Sequence, residues 1–375
     1  MLGCFYIDNY SYQENYLPKY HKMQGHNVEI VASLFTFDEK GRGTFLPRAS
    51  TYINEHGIPV TRLEYARGIT SKRLRVYRGL KKELQRIEPD VLFIHGVQFK
   101  DINVVKKYCQ KHKNVKVYID NHSDYNNSAT NWFSKNILHK IIWRHYAKKI
   151  NPNVEKFYGV LPARVDFLVD VYKLPKEKVE LLVMGADDTS VEKALLPENR
   201  LTMRGKYGVK EDEIVLMTGG KINKNKLDTL TLMKAMSSLR DIPVKLLIFG
   251  VVDPSIQQEF DSLVNDNIKF IGWKKSEDLY NEFSAADILV FPGLHSVLWE
   301  QAVGMGKPCI FRRIDGFSHI DIGGNCMFFD DHTAESYANT IRSAVDNLTK
   351  MEEIAKERGL TAFSYNKIAK TSIGG

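Results

Sequence analysis

The sequence has 375 residues, of which 43% are apolar and 26% are charged, and its formal net charge is +8. This length predicts two domains, or three, and this composition excludes a largely disordered chain, a collagen-like fibre and a coiled coil. Residues 1–185 contain 30 Lys and Arg against 18 Asp and Glu, whereas residues 186–375 contain 23 against 27. The basic N-terminal half is expected to favour an anionic partner: phosphates, nucleic acid or an acidic membrane surface.

The cysteines and the apolar runs indicate the compartment. Four cysteines lie far apart in the sequence, with no CxxC pair and no histidine at zinc spacing: Cys4, Cys109, Cys309 and Cys326. We therefore expect neither disulfides nor a structural metal, as in a reducing cytosol. No apolar run approaches the ~20 residues that a transmembrane helix needs, so the prediction is a cytoplasmic protein.

Short apolar strands alternate with amphipathic helices along the whole chain. In the N-terminal half, the predicted strands are 3–7, 28–33, 91–95, 115–120 and 179–183, and the helices include 14–23, 71–87 and 102–111. In the C-terminal half, the predicted strands are 214–218, 245–249, 268–271, 288–291, 309–311 and 326–328, and the helices include 226–238, 256–265, 276–286, 298–303 and 334–348. Strands that are apolar throughout are typical of parallel sheets buried on both faces, so this alternation predicts an α/β fold.

A polar segment, 185–207, separates the two runs and is the predicted hinge. We expect two doubly wound Rossmann-like domains facing across a cleft. The first comprises residues 1–186, with a C-terminal helix in 360–375 crossing back to it, and the second comprises residues 187–359. Ligands of such sheets bind at the carboxyl ends of the strands. The architecture therefore predicts an enzyme with two substrates in the cleft.

The strongest local motif is the run 218–226, TGGKINKNK, between a strand and a helix. Gly219 and Gly220 let the backbone approach a ligand closely, and Lys221 and Lys226 supply two cations, a combination that suits a diphosphate. The alternative is a solvated basic turn. The run lacks both the GxGxxG and the P-loop patterns, so neither a dinucleotide fold nor an NTPase is indicated.

A second motif, 291–302, joins a buried strand to a helix that carries Glu300 in its first turns. Carboxylates in this position commonly bind the vicinal hydroxyls of a sugar or ribose. The alternative is a glutamate that favours a helix N-terminus.

Together these motifs make residues 210–370, and more loosely 1–185, resemble the retaining GT-B glycosyltransferases of family 4, of the bacterial surface-polysaccharide type. The matching residues are Gly220-Lys221, Lys226, Gly250, Gly272-Trp273, Glu300-Gln301-Ala302 and Gly306-Lys307-Pro308. The resemblance implies that Lys221 and Lys226 hold the donor diphosphate, that Glu300 holds the ribose and that Gly272 and Trp273 contact the base. The further donor-site residues that it implies are Gly219, Gly220, Gly250, His295, Ser296 and Val297. It implies no metal and no cofactor besides the nucleotide-diphosphate sugar, which is the substrate.

The sequence departs from the family pattern at two positions. Lys221 stands where the family has arginine, which keeps the charge but loses the planar fork. Pro292 stands where the first glutamate of the Glu-x7-Glu pattern falls, and His295 or Ser296 is a candidate to replace it.

Candidate residues in the N-terminal half follow the predicted strands. Asp120 ends the strand 115–120 and His122 follows it. The resemblance implies that His122 contacts the donor sugar; a surface or structural histidine is the alternative. His95 ends the preceding strand. The other acceptor-side candidates are Tyr12, Gln13 and Arg164.

Two basic segments, 71–82 and 132–149, account for the charge of this half. The second mixes aromatic, aliphatic and cationic residues at helical spacing, as interfacial helices do. The alternative is a helix that packs on the core and has a solvated basic side.

The sequence thus predicts a retaining, metal-independent hexosyltransferase that moves a sugar from a nucleotide-diphosphate sugar, with UDP favoured, to a glycan or lipid-linked acceptor. The implied setting is capsule or other surface polysaccharide synthesis in bacteria, at the inner face of the cytoplasmic membrane, with no nucleic acid as partner. The alternatives are another GT-B enzyme, such as a nucleotide-sugar epimerase, and a non-catalytic relative that binds a nucleotide sugar or a polyanion.

Overall fold

The computed structural model describes residues 1–3, 5–38, 42–67, 71–223 and 228–375. It divides into two units, one formed by residues 1–183 and 365–375 and the other by residues 184–364. The predicted hinge 185–207 lies inside the second unit, where it forms the helices Asp188–Ala194 and Pro197–Lys206. Helices form there because Asp187, with extended backbone, is the N-cap residue of the first and Pro197, at a first-turn position, starts the second.

The first unit is built on an eight-stranded sheet. The strands of this unit are β1 (Leu2–Gly3), β2 (Ile30–Ser33), β3 (Phe35–Phe37), β4 (Gly43–Phe45), β5 (Ser50–Ile53), β6 (Pro59–Leu63), β7 (Val91–His95), β8 (Lys116–Asn121), β9 (Lys156–Gly159) and β10 (Val179–Leu181). Of these, β3 and β4 form a separate hairpin, and the other eight form the sheet. The strand order is β10-β9-β8-β7-β1-β2-β6-β5, and all neighbours are parallel except β5 and β6. The order reverses between β1 and β7, where the chain leaves β1 in one direction and returns on the other side.

Helices and short helical turns cover this sheet. They are Gln13–Met23, Ser71–Leu74, Leu80–Ile87, Ile102–Lys111, Ser134–Trp143, Arg144–Ile150, Asn151–Asn153, Pro162–Asp170, Lys176–Lys178 and the terminal helix Tyr365–Ser372. The terminal helix packs on Gln13–Met23, with the ring of Tyr365 4.8 Å from that of Tyr16. The core on the other face includes Ile94, Val117 and Phe157, which are fully buried.

Two predicted elements of this unit differ from the structure. The strand 3–7 ends early among the described residues, because the carbonyl of Tyr6 accepts a hydrogen bond from Arg62 (2.7 Å) instead of joining the ladder. The helix 71–87 is interrupted, because Arg75 and Gly79 have left-handed φ values of 54° and 89°.

The second unit contains a six-stranded, wholly parallel sheet. Its strands are β11 (Ile214–Ile222), β12 (Val244–Val252), β13 (Ile268–Phe270), β14 (Ile288–Phe291), β15 (Cys309–Arg312) and β16 (Cys326–Phe329). Its helical segments, after the two already named, are Asp228–Ala235, Met236–Leu239, Gln257–Leu263, Ser276–Asp278, Leu279–Ser284, Leu298–Gly304, Ser318–Ile320, Ala334–Asp346, Leu348–Ile354, Ala355–Gly359 and Leu360–Ala362. The order β13-β12-β11-β14-β15-β16 is the doubly wound Rossmann order. Its switch point therefore lies between β11 and β14.

The strands β11 and β12 run past the end predicted from the sequence. Gly219 and Gly220, which were predicted to follow the strand 214–218, lie inside β11 and pair with Phe249 and Gly250 of β12. Gly250 has a φ of +126°, and a Cβ atom there would lie 1.9 Å from the carbonyl oxygen of Gly220. Glycine is therefore required at 250 by the close approach of the two strands.

Replacing this glycine tests the constraint. We expect Gly250→Ala to lower the free energy of unfolding by roughly 2–3 kcal/mol or more, because it combines a disfavoured φ with a backbone clash. Gly205→Ala, at an exposed helical position with open space around it, should be neutral or stabilising by about 0.5–1 kcal/mol. Urea unfolding followed by circular dichroism measures both, and equal effects of the two substitutions would contradict the prediction.

Candidate functional site

The end of β11, the start of the helix Asp228–Ala235 and the segment after β14 line one cavity at the switch point of the second sheet. The two strands are neighbours, with Leu216 paired to Ile288. The cavity is lined by Thr218, Gly219, Gly220, Lys221, Ile222, Asp228, Thr229, Phe291, Pro292, Gly293, Leu294, Ser296, Leu298 and Trp299. The fold thus brings together the two sequence motifs, which are about 75 residues apart in the chain.

Lys221 is exposed and is the one cation among the described residues that line this cavity. An acidic group, Asp228, also lines it, but its carboxylate is partnered by Arg312 (3.8 Å) and by His332 (3.2 Å). Ser296 lines the opposite wall, and Pro292 leaves that wall without the carboxylate that the family pattern has there. The second predicted cation, Lys226, lies outside the described residues.

Glu300 lies next to this cavity in the sequence but is completely buried and is absent from its lining. Its Oε1 atom accepts hydrogen bonds from Nε2 of His295 (2.7 Å) and from Nε2 of His319 (2.9 Å). Burial alone would raise the pKa of this carboxyl, but the two histidines outweigh it and lower the pKa to about 2. Glu300 is therefore an ionised carboxylate held inside the unit.

The other predicted donor-site residues are distributed around the same sheet. Gly250 donates its backbone N–H to the carbonyl of Gly272 (3.0 Å). Gly272 follows β13 and has a positive φ. Trp273 is 63% exposed and lies in a separate depression that Lys274 also lines. Val297 is the N-cap residue of the helix that carries Glu300.

A second histidine–carboxylate cluster lies at the switch point of the first sheet, after β1, β7 and β8. Asp120, which is fully buried, accepts hydrogen bonds at Oδ2 from Nδ1 of His95 (2.7 Å) and from Nε2 of His122 (3.2 Å). Its Oδ1 atom accepts the backbone N–H of Gly96 (2.8 Å). Glu14 approaches the other ring nitrogen of His95 at 3.5 Å.

Charge is distributed unevenly in this cluster. Burial lowers the pKa of His95, but Asp120 and Glu14 outweigh it and raise the pKa to about 9. Burial lowers the pKa of His122 to about 4, because Asp120 only partly offsets the loss of solvent and His95 adds a like charge. At neutral pH, His95 is therefore an imidazolium, whereas His122 is neutral and keeps Nδ1 as a hydrogen-bond acceptor.

The remaining acceptor-side candidates lie around this cluster in three different settings. Tyr12 is half-exposed as the N-cap residue of the helix after β1. Gln13 is buried, and its amide has no hydrogen-bond partner among the residues that the structure describes. Arg164 is held by Asp124 (3.0 Å), so its charge is paired.

Three residues of these sites were not predicted from the sequence. Glu14 lies in the segment after β1, next to the predicted candidate Gln13. Its carboxyl group was the one feature of the sequence that could have indicated a role in the site. His319 and Asp228 have no motif of their own, and only the folded sheet brings His319 to Glu300 and Asp228 to the cavity of Lys221.

The chain has the GT-B fold, as its similarity to solved structures shows. A glycosyltransferase from Rickettsia africae covers 99% of this chain and 96% of its own, with a TM-score of 0.66 and 16% identity. Anabaena HepE in complex with UDP and glucose covers 99% and 97%, with a TM-score of 0.63 and 15% identity. The UDP-GlcNAc 2-epimerase of Neisseria meningitidis, bound to UDP-GlcNAc, covers 99% and 97%, with a TM-score of 0.62 and 12% identity.

The second unit contains a recognisable family domain. Residues 212–347 match the family model described as Glycosyl transferases group 1. An uncharacterized glycosyltransferase of Methanocaldococcus jannaschii is 21% identical over 156 residues, and this alignment spans 40% of each chain. The matched domain includes the Lys221 cavity and the Glu300 cluster.

The raised pKa of His95 predicts a pH dependence of stability. A histidine whose pKa rises on folding stabilises the protein below its ordinary pKa of 6.5 and loses that contribution as the pH rises through about 9. The unfolding midpoint in urea should therefore fall between pH 6.5 and pH 9 in the wild type, and should fall less in His95→Gln. His145→Gln, at an exposed histidine, should behave as the wild type, and the same slope in all three proteins would contradict the assignment.

Proposed function

We propose that this protein is a glycosyltransferase that moves a sugar from a nucleotide-diphosphate sugar, with UDP the favoured nucleotide, to a glycan or lipid-linked acceptor. The observation that carries the proposal is the cavity at the switch point of the second sheet. It combines the backbone of Gly219 and Gly220 with the cation of Lys221, within the domain that matches the glycosyltransferase family model. The complexes of HepE with UDP, and with UDP and glucose, lend support to a donor of this class.

In this proposal, Lys221 and Lys226 stabilise the negative charge that develops on the departing diphosphate. Two cations can neutralise this charge without a metal ion, so the proposed reaction is metal-independent. The resemblance to the retaining enzymes is the basis for proposing retention, by front-face attack as the nucleotide leaves. Neutral His122 is proposed to accept a hydrogen bond from a hydroxyl of the sugar at Nδ1, since its Nε2 atom donates to Asp120. The carboxylate of Glu300 is buried in this structure. The proposal that Glu300 binds the ribose therefore rests on the resemblance alone.

The acceptor is proposed to be presented at a membrane surface, as in capsule or other surface polysaccharide synthesis. No helix in the described parts of the chain is long and apolar enough to cross a membrane. The first unit instead has adjacent aromatic side chains at Trp132 and Phe133, which are 71% and 63% exposed, at the start of a helix whose other face is buried through Trp143. Exposed Lys148 and Lys149 follow in the next helix. Exposed aromatics beside cations fit the interface of an anionic bilayer.

A nucleotide-sugar epimerase is the second candidate. The structural similarity to UDP-GlcNAc 2-epimerase favours it, and so does the cluster of His95, Asp120, His122 and Glu14, which holds a protonated and a neutral histidine side by side. Conversion of a donor to its epimer in the absence of any acceptor would select this function.

Donor binding can be tested with a thermal-shift screen of UDP-, GDP- and dTDP-sugars. At least one should raise the melting temperature, because a ligand that binds only the folded state stabilises it. Lys221→Ala should weaken the affinity about 10- to 100-fold, as expected for loss of a charge-assisted contact to phosphate. Lys193→Ala makes the same charge change at an exposed helical lysine that is not in the cavity lining, and its affinity should be unchanged. An equal loss in both variants, or a full shift in Lys221→Ala, would contradict the proposed site.

Membrane binding can be tested by cosedimentation with vesicles. We expect binding to vesicles rich in phosphatidylglycerol and little binding to pure phosphatidylcholine, since both the aromatics and the cations contribute. The double variant Trp132→Ala/Phe133→Ala should bind about tenfold more weakly. Leu201→Ala, at an exposed leucine of the second unit, should bind as the wild type, and binding that the double variant retains in full would exclude this surface.

A further inference from the structure

Two clusters in this protein have the composition of a metal site. Each contains two histidines and one carboxylate: His95, Asp120 and His122 in the first unit, and His295, Glu300 and His319 in the second. In each cluster one ligand atom from every residue lies within 4.8 Å of the others. The hydrogen bonds around the clusters distinguish them.

The cluster of the first unit is satisfied without a metal. Both oxygens of Asp120 accept hydrogen bonds, from Gly96 and from the two histidines. His95 lies between two carboxylates, those of Asp120 and Glu14, which stabilise its protonated form. A metal would have to displace that proton, so this cluster is best described as a hydrogen-bonded charge network.

The cluster of the second unit leaves buried polar atoms unsatisfied. Among the residues that the structure describes, neither Glu300 Oε2 nor His319 Nδ1 has a hydrogen-bond partner, and both atoms are buried. Glu300 is completely buried, and the side chains of His319 and His295 are only 2% and 10% exposed. A buried ionised carboxylate oxygen without a partner is costly, and a bound ion is one of the arrangements that removes the cost.

We propose that His295, Glu300 and His319 bind a zinc ion. Two imidazole nitrogens and one carboxylate are the protein ligands of a common zinc site, in which a water or another ligand takes the fourth position. The proposed ligand atoms are Nε2 of each histidine and both carboxylate oxygens of Glu300, because Oε1 gives up its hydrogen bonds to the histidines when zinc binds. The carboxylate oxygen that now has no partner thus becomes a ligand.

Zinc binding requires two local changes. Ligands of a tetrahedral zinc ion lie about 2.0–2.2 Å from the metal and so roughly 3.3 Å from one another, whereas the present N–O contacts are 2.7 and 2.9 Å. The side chains must therefore separate by about half an ångström. Each Nε2 atom must also lose its proton, and in His319 the proton can move to Nδ1, which is free to carry it.

The proposed zinc ion would use the carboxylate that the resemblance assigns to the ribose of the donor. Zinc-bound protein is therefore a form in which Glu300 is not available to a nucleotide. The zinc site itself does not depend on the proposed transferase activity, because it is tested with metal alone.

The test is a titration of the purified, EDTA-treated full-length protein with cobalt(II), a spectroscopic substitute for zinc. We expect one cobalt ion per chain, with the intense visible d–d bands of four-coordinate cobalt and loss of these bands when zinc is added. Equilibrium dialysis against zinc, with elemental analysis, should give the same stoichiometry. Absence of stoichiometric metal from the wild type would overturn the proposal, whatever the result of the nucleotide screen.

Variants locate the site. Glu300→Gln and His319→Gln should each weaken metal binding about 100-fold or more, because each removes a ligand, while circular dichroism checks that the variants fold. His122→Gln is the matched control, since it alters the corresponding histidine–carboxylate cluster of the first unit. If His122→Gln abolishes metal binding and His319→Gln retains it, the metal lies in the cluster of the first unit and the proposal is overturned. The titration of the wild type remains decisive even if a variant does not fold.

Discussion

The reversal of strand order in each parallel sheet is the constraint on which both candidate sites depend. In the first unit the order reverses between β1 and β7, and in the second between β11 and β14. The chain leaves the two strands at such a point in opposite directions, so their carboxyl ends open a crevice that helices do not fill. Residues far apart in the sequence meet there, Glu14 with His95 and Lys221 with Ser296. The chemistry of the protein is thus positioned by topology before any side chain is considered.

Each sheet also buries one carboxylate beside two histidines, and the surroundings give the two clusters different properties. Burying an ionised carboxylate is costly unless donors compensate it. Asp120 obtains its donors from the histidines and from a backbone N–H, and the additional charge of Glu14 keeps His95 protonated. Glu300 obtains donors at only one oxygen among the described residues. The first cluster is a closed network, whereas the second retains capacity for a further ligand.

Much of the fold could be predicted from the sequence, because parallel strands buried on both faces are simple apolar runs. The strands Val91–His95 and Ile288–Phe291 and the helix Ile102–Lys111 have the predicted bounds. The polar edge strands Ser50–Ile53 and Gly43–Phe45 lack such a run and were missed. The motif of Gly219 and Gly220 was found but its local structure was not, since glycines that permit close strand pairing look the same in sequence as glycines of a turn. Contacts such as that of His319 with Glu300 have no local signal at all, because the two residues are 19 positions apart and belong to different segments.

The cavity beside Lys221 is proposed to bind the diphosphate of a nucleotide sugar. A crystal structure of the protein grown with UDP tests it most directly, because it locates the phosphates relative to named atoms. We expect the diphosphate to lie within hydrogen-bond distance of the backbone of residues 219–221 and of the Lys221 ammonium, between the ends of β11 and β14. UDP bound with its phosphates away from this cavity would show that Lys221 does not hold the diphosphate.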